Sequence, residues 1–261
     1  MRASLIIPAY NEEERLPGTL TIYEEAMRHR FSDDFEIIVV ANGCVDNTVG
    51  VATAAAAVAP QIRIVDIKEP IGKGGAILEG FRVAHGDSVL FADADGATTP
   101  ESLLELLNHL DRHDVVIGSR RMSASVITHP QPLLRRVCGW GFTQTVRFLF
   151  RTPFKDTQCG AKAFRIDAAR RLGQVVSETR WTFDVDLLLS ARKLGLDVHE
   201  HPVVWTDRVG SQLRYGSTTS EVLRALWAMR LRQSEPILEL TEPPAMITNQ
   251  EDSTIAQQAV A

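Results

Sequence analysis

Two aspartates one residue apart lie in the run Phe91-Ala92-Asp93-Ala94-Asp95-Gly96, directly after the apolar stretch Ser88-Val89-Leu90-Phe91. In extended chain, side chains at i and i+2 share one face. Two carboxylates on one face repel unless a cation sits between them or one keeps its proton. Such hard oxygen ligands suit Mg²⁺ or Mn²⁺. At the carboxyl end of a strand, a divalent cation can carry a phosphorylated ligand and neutralise a departing diphosphate. Asp-Ala-Asp-Gly also makes an ordinary solvated turn, so the surrounding chain has to decide between the two readings.

The first half of that chain alternates strands with helices. Ile- and Val-rich runs at residues 4–10, 35–42, 62–68, 88–93 and 114–119 read as strands. Between them, residues 12–29, 46–59, 74–85 and 100–111 carry the Leu, Ala, Glu and Arg of helices. This βαβα order predicts an α/β fold, a mostly parallel sheet with helices on both faces. Thr99-Pro100-Glu101 has the cap, first-turn proline and early acid of a helix start. Further on, residues 130–150 read as a helix with a broad apolar face, 156–165 as extended chain, 181–194 as a helix and 198–206 as a strand. Residues 220–233 read as a basic amphipathic helix. The chain then turns polar and proline-interrupted, so one domain over residues 1–235 and a disordered tail over 236–261 are expected.

Composition narrows the class. The chain has 261 residues, 44% hydrophobic and 23% charged, as one sizeable soluble domain would. Cys44, Cys138 and Cys159 are odd in number and in no metal spacing, which fits reduced thiols in the cytoplasm. No leader and no run of ~20 apolar residues is visible. The net charge of −5 is uneven: residues 120–171 hold eleven Arg and Lys against Asp156 and Asp167, a local +9, leaving −14 elsewhere. That asymmetry suggests a basic surface for an anionic partner, or simply helix-surface arginines.

The strand ending in Ile7-Pro8-Ala9-Tyr10-Asn11-Glu12-Glu13 has no Gly-x-Gly-x-x-Gly after it, and Gly72-Lys73-Gly74-Gly75 lacks the spacing of a Walker loop. A polar cluster at a strand's carboxyl end can instead line a crevice and read a base or ribose. Asn11 and Glu12 could equally cap the next helix.

Six segments in order carry a resemblance: Ile7-Pro8-Ala9-Tyr10-Asn11-Glu12-Glu13, Gly72-Lys73-Gly74-Gly75-Ala76, Asp93-Ala94-Asp95-Gly96, Gly118-Ser119-Arg120, Asp156-Thr157-Gln158-Cys159-Gly160 and Phe183-Asp184-Val185-Asp186. Together they resemble the family-2 glycosyltransferases of GT-A fold. The dolichyl-phosphate β-glucosyltransferase group is the nearest match, beside the polyprenyl-phosphate mannose synthases. The resemblance covers residues 4–215 and implies a metal-dependent inverting transfer of a hexose, glucose, from a UDP-sugar to a polyprenyl or dolichyl phosphate. The transfer would use Mg²⁺ or Mn²⁺, at the cytoplasmic membrane face and without nucleic acid.

The resemblance also implies roles. Pro8, Ala9, Tyr10, Asn11 and Glu12 would line the nucleotide pocket, with Lys73, Gly74 and Ala94 beside it. Asp93 would face the nucleoside and Asp95 the metal and diphosphate. Arg120 would sit over phosphate and Arg214 would touch the diphosphate. Asp156 and Gln158 would approach the transferred sugar and the acceptor. One of Asp184 and Asp186 would face the site as base or polar anchor, the other being a first-turn acid favoured by the helix dipole. Two departures stand out. Where the family shows Asp-Asp-Gly-Ser, this chain has Ala41-Asn42-Gly43-Cys44, so Asn42 would have to read the base. The hydrophobic spans of membrane-anchored relatives are also missing from this sequence. An acceptor met at a membrane surface would use Arg135, Arg136 and Arg147, interleaved with Trp140, Phe148 and neighbouring apolar residues. The alternatives are a soluble acceptor, a GDP-mannose donor, or a nucleotide-sugar-binding protein without turnover. No histidine stands in a partner pattern for Cys159, so a catalytic thiol is not expected.

Overall fold

The computed structural model describes residues 2–129, 132–180, 182–207 and 218–232. Strands β1 (Ala3–Ala9), β2 (Phe35–Asn42), β3 (Ile62–Ile67) and β4 (Ser88–Phe91) alternate with helices α1 (Leu16–Phe31), α2 (Thr48–Val58) and α3 (Gly72–Val83). Helix α4 (Pro100–Glu105) runs into a 3₁₀ turn at Leu106–His109, and β5 (Val115–Ser119) follows. The second half adds β6 (Val126–His129), α5 (Leu133–Phe150), β7 (Lys162–Arg165), α6 (Ile166–Val175), α7 (Phe183–Lys193), β8 (Val198–Pro202), β9 (Val204–Thr206) and α8 (Thr218–Arg232). Seven strands form one sheet in the order β3-β2-β1-β4-β7-β5-β8, and only β7 runs antiparallel to its neighbours.

The pleat sorts the core into two layers. Leu5 and Ile7 of β1 pack towards Leu16, Leu20, Tyr23 and Met27 of α1, while Ile6 joins Ile77 and Phe81 of α3 on the other face. Strands buried on both faces read as continuous apolar runs, as β2 does. A third, smaller cluster joins α5, α7 and α8 through Val146, Phe150, Val185, Leu189, Leu226 and Met229. Each such buried side chain contributes about 1.5–3 kcal/mol.

Several boundaries differ from the sequence reading. Strand β4 stops at Phe91, so Asp93 and Asp95 lie in a turn, not in extended chain; the turn closes with the Gly96 N–H on the Asp93 carbonyl at 3.3 Å and Gly96 at φ +63°. The run 198–206 is two strands: β8 follows β5 as far as Pro202, opposite Ser119 where β5 ends, and the chain then pairs with β6. After it, β9 pairs with β6, a strand the sequence reading missed because all four of its residues are exposed. Helix α6 was hidden in a stretch with no cap signal. The Thr99 cap does form: its side chain accepts the Ser102 N–H at 3.3 Å. The expected tail lies outside the described residues.

Candidate functional site

The carboxyl ends of β1, β2 and β4 meet at one edge, and the loops leaving them are bound to one another. The Glu12 N–H donates to Thr48 Oγ1 at 2.7 Å, the Val45 N–H to Asn11 Oδ1 at 2.9 Å and the Asn47 N–H to Glu13 Oε2 at 2.8 Å. Asn11 therefore does not cap α1; it sits at φ +56°, where asparagine is tolerated, and ties the first loop to the second. Pro8 and Ala9 close β1, and Tyr10 beside them is exposed. Asn42 is buried at the end of β2, and its carbonyl oxygen accepts the Ile71 N–H at 2.7 Å. One face of that amide is thus committed to the turn that starts α3.

Lys73, in the first turn of α3, places Nζ 2.6 Å from Asp93 Oδ1. Burial opposes its charge, but Asp93 and Asp184 outweigh burial and hold Lys73 above its ordinary value. The Asp93 carboxylate also lies where a Cβ on Gly160 would be, 1.9 Å from Oδ2, so only glycine fits at the end of Asp-Thr-Gln-Cys-Gly. Gly74 has a different reason. A Cβ there would meet the Phe183 ring at 2.4 Å, so its close approach is to α7.

Asp95 has a weaker set of partners: Oδ1 accepts the Ala97 N–H at 3.0 Å. Burial first, and the charge of Asp93 second, push its carboxyl above the usual range. Glu12 is raised as well, by burial against the pull of Arg15, with Asp95 and Asp93 adding to it. Three acids face the two cations Lys73 and Arg15, and the surplus falls on Asp95. An anionic oxygen set short of positive charge fits a hard divalent ion such as Mg²⁺ or Mn²⁺.

The remaining acids are committed to partners within the protein. Asp156 is 1% exposed and takes Arg120 in a two-pronged pair, Nε to Oδ2 at 2.7 Å and Nη2 to Oδ1 at 2.9 Å, plus the Arg120 N–H at 3.0 Å. Burial would favour the neutral acid, but Arg120 brings the carboxyl down to about 2. The guanidinium lies over the Trp205 ring, 5.4 Å from its centroid. Glu200 holds the segment from behind by accepting the Lys155 and Asp156 N–H groups at 3.0 and 2.8 Å. Arg120 is therefore a clamped cation. Gln158, half-buried, makes no side-chain hydrogen bond among the described residues.

Asp184 and Asp186, both buried, point to different partners, as two residues two apart on a helix must. Asp184 Oδ1 accepts from Lys162 Nζ at 2.6 Å, and Lys162 is completely buried, with its ammonium also on the Cys159 carbonyl at 2.7 Å. Asp186 accepts the Ser177 and Glu178 N–H groups at 3.1 and 2.9 Å and pins the loop before α7. Asp184 is the one electrically linked to Lys73. Burial and then Asp156 push the Cys159 thiol up to about 11, so it is no nucleophile at neutral pH.

The structure thus brings together Glu12, Asn42, Lys73, Asp93, Asp95, Arg120, Asp156 and Asp184, with Trp205 against Arg120, and it adds Lys162 and Glu200, which the sequence reading did not assign to the site. A lysine between alanines in Ala161-Lys162-Ala163-Phe164, a strand with no polar alternation, was the available signal for the first. Arg136 and Arg147 lie exposed on α5, and Arg135 pairs with Asp207 at 3.2 Å. Arg214 lies outside the described residues.

The family model for glycosyl transferase family 2 matches residues 4–173. The chain is 33% identical over 241 residues to a dolichyl-phosphate beta-glucosyltransferase of Dictyostelium discoideum, covering 88% of this chain and 74% of that protein. It is 36% identical over 226 residues to the protein of the same name in Drosophila melanogaster, covering 82% and 69%. Among solved structures it resembles glucosyl-3-phosphoglycerate synthase from Mycobacterium tuberculosis, in complex with Mn²⁺, UDP and phosphoglyceric acid, at TM-score 0.65 and 19% identity over 89% and 78% of the two chains. Mannosyl-3-phosphoglycerate synthase from Rubrobacter xylanophilus superposes at TM-score 0.66 and 19% identity, over 94% and 78%. The architecture is the GT-A fold expected from the sequence.

Proposed function

The chain belongs to glycosyl transferase family 2 and is a glycosyltransferase, and from that premise we propose that it moves glucose from UDP-glucose to a polyprenyl or dolichyl phosphate at a membrane surface, with inversion. The observation that carries the acceptor class is the state of the acids. Asp156 is spent on Arg120, Asp184 on Lys162, Asp186 on two backbone N–H groups and Asp93 on Lys73. With Asp95 assigned to the divalent ion, none of Asp93, Asp156, Asp184 and Asp186 is left as a ready general base. A hydroxyl acceptor needs one; a phosphate, with its second pKa at about 6, is already largely ionised and needs cations to place it.

In this reading the donor lies across the carboxyl ends of β1, β2 and β4. Pro8, Ala9, Tyr10, Asn11, Glu12 and the remaining amide edge of Asn42 hold the nucleoside. Lys73, held in place by Asp93, faces the diphosphate. A divalent ion bound by Asp95, with Asp93, supplies the positive charge that the leaving diphosphate needs. Arg120, fixed by Asp156 and Trp205, presents a rigid cation to a phosphate without having to be ordered at the moment of reaction. Gln158 orients the transferred sugar.

Helices α5 and α8 supply the surface. On α5, Leu133, Val137, Trp140 and Phe148 lie on one helical face, with Trp140 59% and Phe148 85% exposed, opposite the face that packs through Val146 and Phe150. Arg136 and Arg147 edge the exposed face. On α8, Leu223, Trp227 and Leu231 repeat the pattern at i, i+4 and i+8. No helix among the described residues is long and apolar enough to cross a membrane; these two have the composition of helices that lie in the interface.

The test is a transfer assay offering UDP-glucose and GDP-mannose against a short polyprenyl phosphate on anionic vesicles and against water-soluble hydroxyl acceptors. Transfer from UDP-glucose to the lipid phosphate, weakened with vesicle binding by Trp140→Ser plus Trp227→Ser, is the expected result. Faster glycosylation of a soluble hydroxyl would reject the lipid acceptor, and preference for GDP-mannose would reject the donor.

A further inference from the structure

Four of the seven histidines in the chain gather at the far edge of the sheet, where no step of the transfer chemistry needs them. His199 and His201 alternate on β8, the edge strand, and so face the same side. His109 ends the 3₁₀ turn after α4, and His113 lies in the loop that leads to β5. Ring centroids are 5.0 Å apart for His109 and His199, 4.5 Å for His109 and His201, and 4.7 Å for His113 and His199. One ring nitrogen from each of His109, His199 and His201 lies within 4.8 Å of the other two, and all three residues are half-buried.

From this juxtaposition we propose that His109, His199 and His201 form a second metal site, for a borderline transition ion of the Zn²⁺ class, with Glu105 as the fourth ligand. The donor set carries the choice of ion. Three imidazoles suit Zn²⁺ and its neighbours and do not suit Mg²⁺ or Ca²⁺. A tetrahedral ion with Zn–N of about 2.0–2.1 Å needs ligand nitrogens about 3.3 Å apart, so the rings have to close by an ångström or so, within the reach of side-chain rotation. Glu105 Oε1 lies 3.6 Å from His201 Nε2 and would swing in to complete the set. Burial and the neighbouring imidazoles hold His199 and His201 below the usual histidine value, so both rings offer lone pairs at neutral pH. His113 is tied through Nδ1 to Asp197 at 2.7 Å and stacks nearly parallel on His199, which fixes that ring from outside.

The ligands come from two stretches far apart in sequence. A bound ion would clip the edge strand to the turn between α4 and β5. Strand β8 continues through Pro202 into β9, which carries Trp205 beneath Arg120. The site would therefore stiffen the strand that backs the phosphate clamp without contacting the donor.

The experiment uses the full chain without a histidine tag, stripped with chelator and then given Co²⁺ or Zn²⁺ in excess Mg²⁺ to fill the oxygen site. Wild type should bind one ion that Mg²⁺ does not displace and show the intense visible bands of tetrahedral Co²⁺. Zn²⁺ at a hundred times its Kd should raise Tm by about 5–10 °C. His199→Gln with His201→Gln should lose the bands and the Tm rise, while its metal-free Tm and its glycosyl transfer stay near wild type. Asp95→Asn should keep the bands. The proposal is overturned if wild type shows neither bands nor a Tm rise, or if the double histidine variant keeps both.

Discussion

Replacing Asp184 by Asn removes one charge from a pair buried in the centre of the fold. Lys162 is fully buried, its ammonium meets Asp184 Oδ1 at 2.6 Å, the Cys159 carbonyl at 2.7 Å and the Phe91 ring at 5.1 Å, and it sits mid-sheet between β4 and β5. Asn keeps the size and an oxygen for the ammonium to donate to, so the loss is the neutralising charge alone. Breaking a buried pair from one side costs about 3–5 kcal/mol. At about 2–4 °C per kcal/mol for a protein near this size, Tm should fall by roughly 6–20 °C, with a matching loss in urea midpoint. Lys162→Met with Asp184→Leu should regain most of that loss, because an apolar pair needs no neutralisation. That double variant should also keep transfer within about tenfold of wild type. The reasoning is refuted if Asp184→Asn melts within about 2 °C of wild type while transfer falls a hundredfold or more. Asp184 would then be acting on the acceptor, not holding Lys162.

Asp95→Asn should melt at or above wild type in chelator, since it removes a carboxylate disfavoured by burial and by Asp93 while an amide oxygen still accepts the Ala97 N–H; transfer should fall by at least a hundredfold, and Mg²⁺ should no longer raise Tm. Asp156, lowered from 3.8 to about 2, should contribute stability that is fully present above pH about 4 and lost as pH falls through 2, about 2 kcal/mol in all; acid titrations followed by circular dichroism should show this step in wild type and not in Asp156→Asn. Thr157 Oγ1 is buried with no hydrogen-bond partner among the described residues, so Thr157→Val should leave Tm unchanged or raise it by a few degrees, and a drop of 5 °C or more would mean that the hydroxyl has a partner in solution.

The legible parts of the fold were those where a local pattern and the tertiary environment agree. Strand β2 was bounded correctly because a strand buried on both faces writes itself as Phe-Glu-Ile-Ile-Val-Val-Ala-Asn. Helix α4 was marked by its own capping residues. Strand β6 has no buried face, and so no period to read; its identity comes from β9, about eighty residues later. The break after Pro202 depended on where the partner strand β5 ends, which could not be known beforehand.

The site divides along the same line. Which residue types gather at the carboxyl ends of the strands could be read, because the polar clusters interrupt apolar runs. Which partner each acid takes could not, because pairing is set by contacts between segments distant in sequence. Asp184 and Asp186 were equally plausible bases in sequence. In the fold one takes the buried Lys162 ammonium and the other takes two backbone N–H groups, and both are thereby committed to partners within the protein. Pairing also explains why a site so rich in acids can be short of base. Each cation that organises the segments around the cleft, Lys73, Arg120 and Lys162, consumes one carboxylate, and the acid left over, Asp95, is the one whose charge the protein leaves least compensated. An enzyme arranged in this way gains most from an acceptor that arrives already deprotonated.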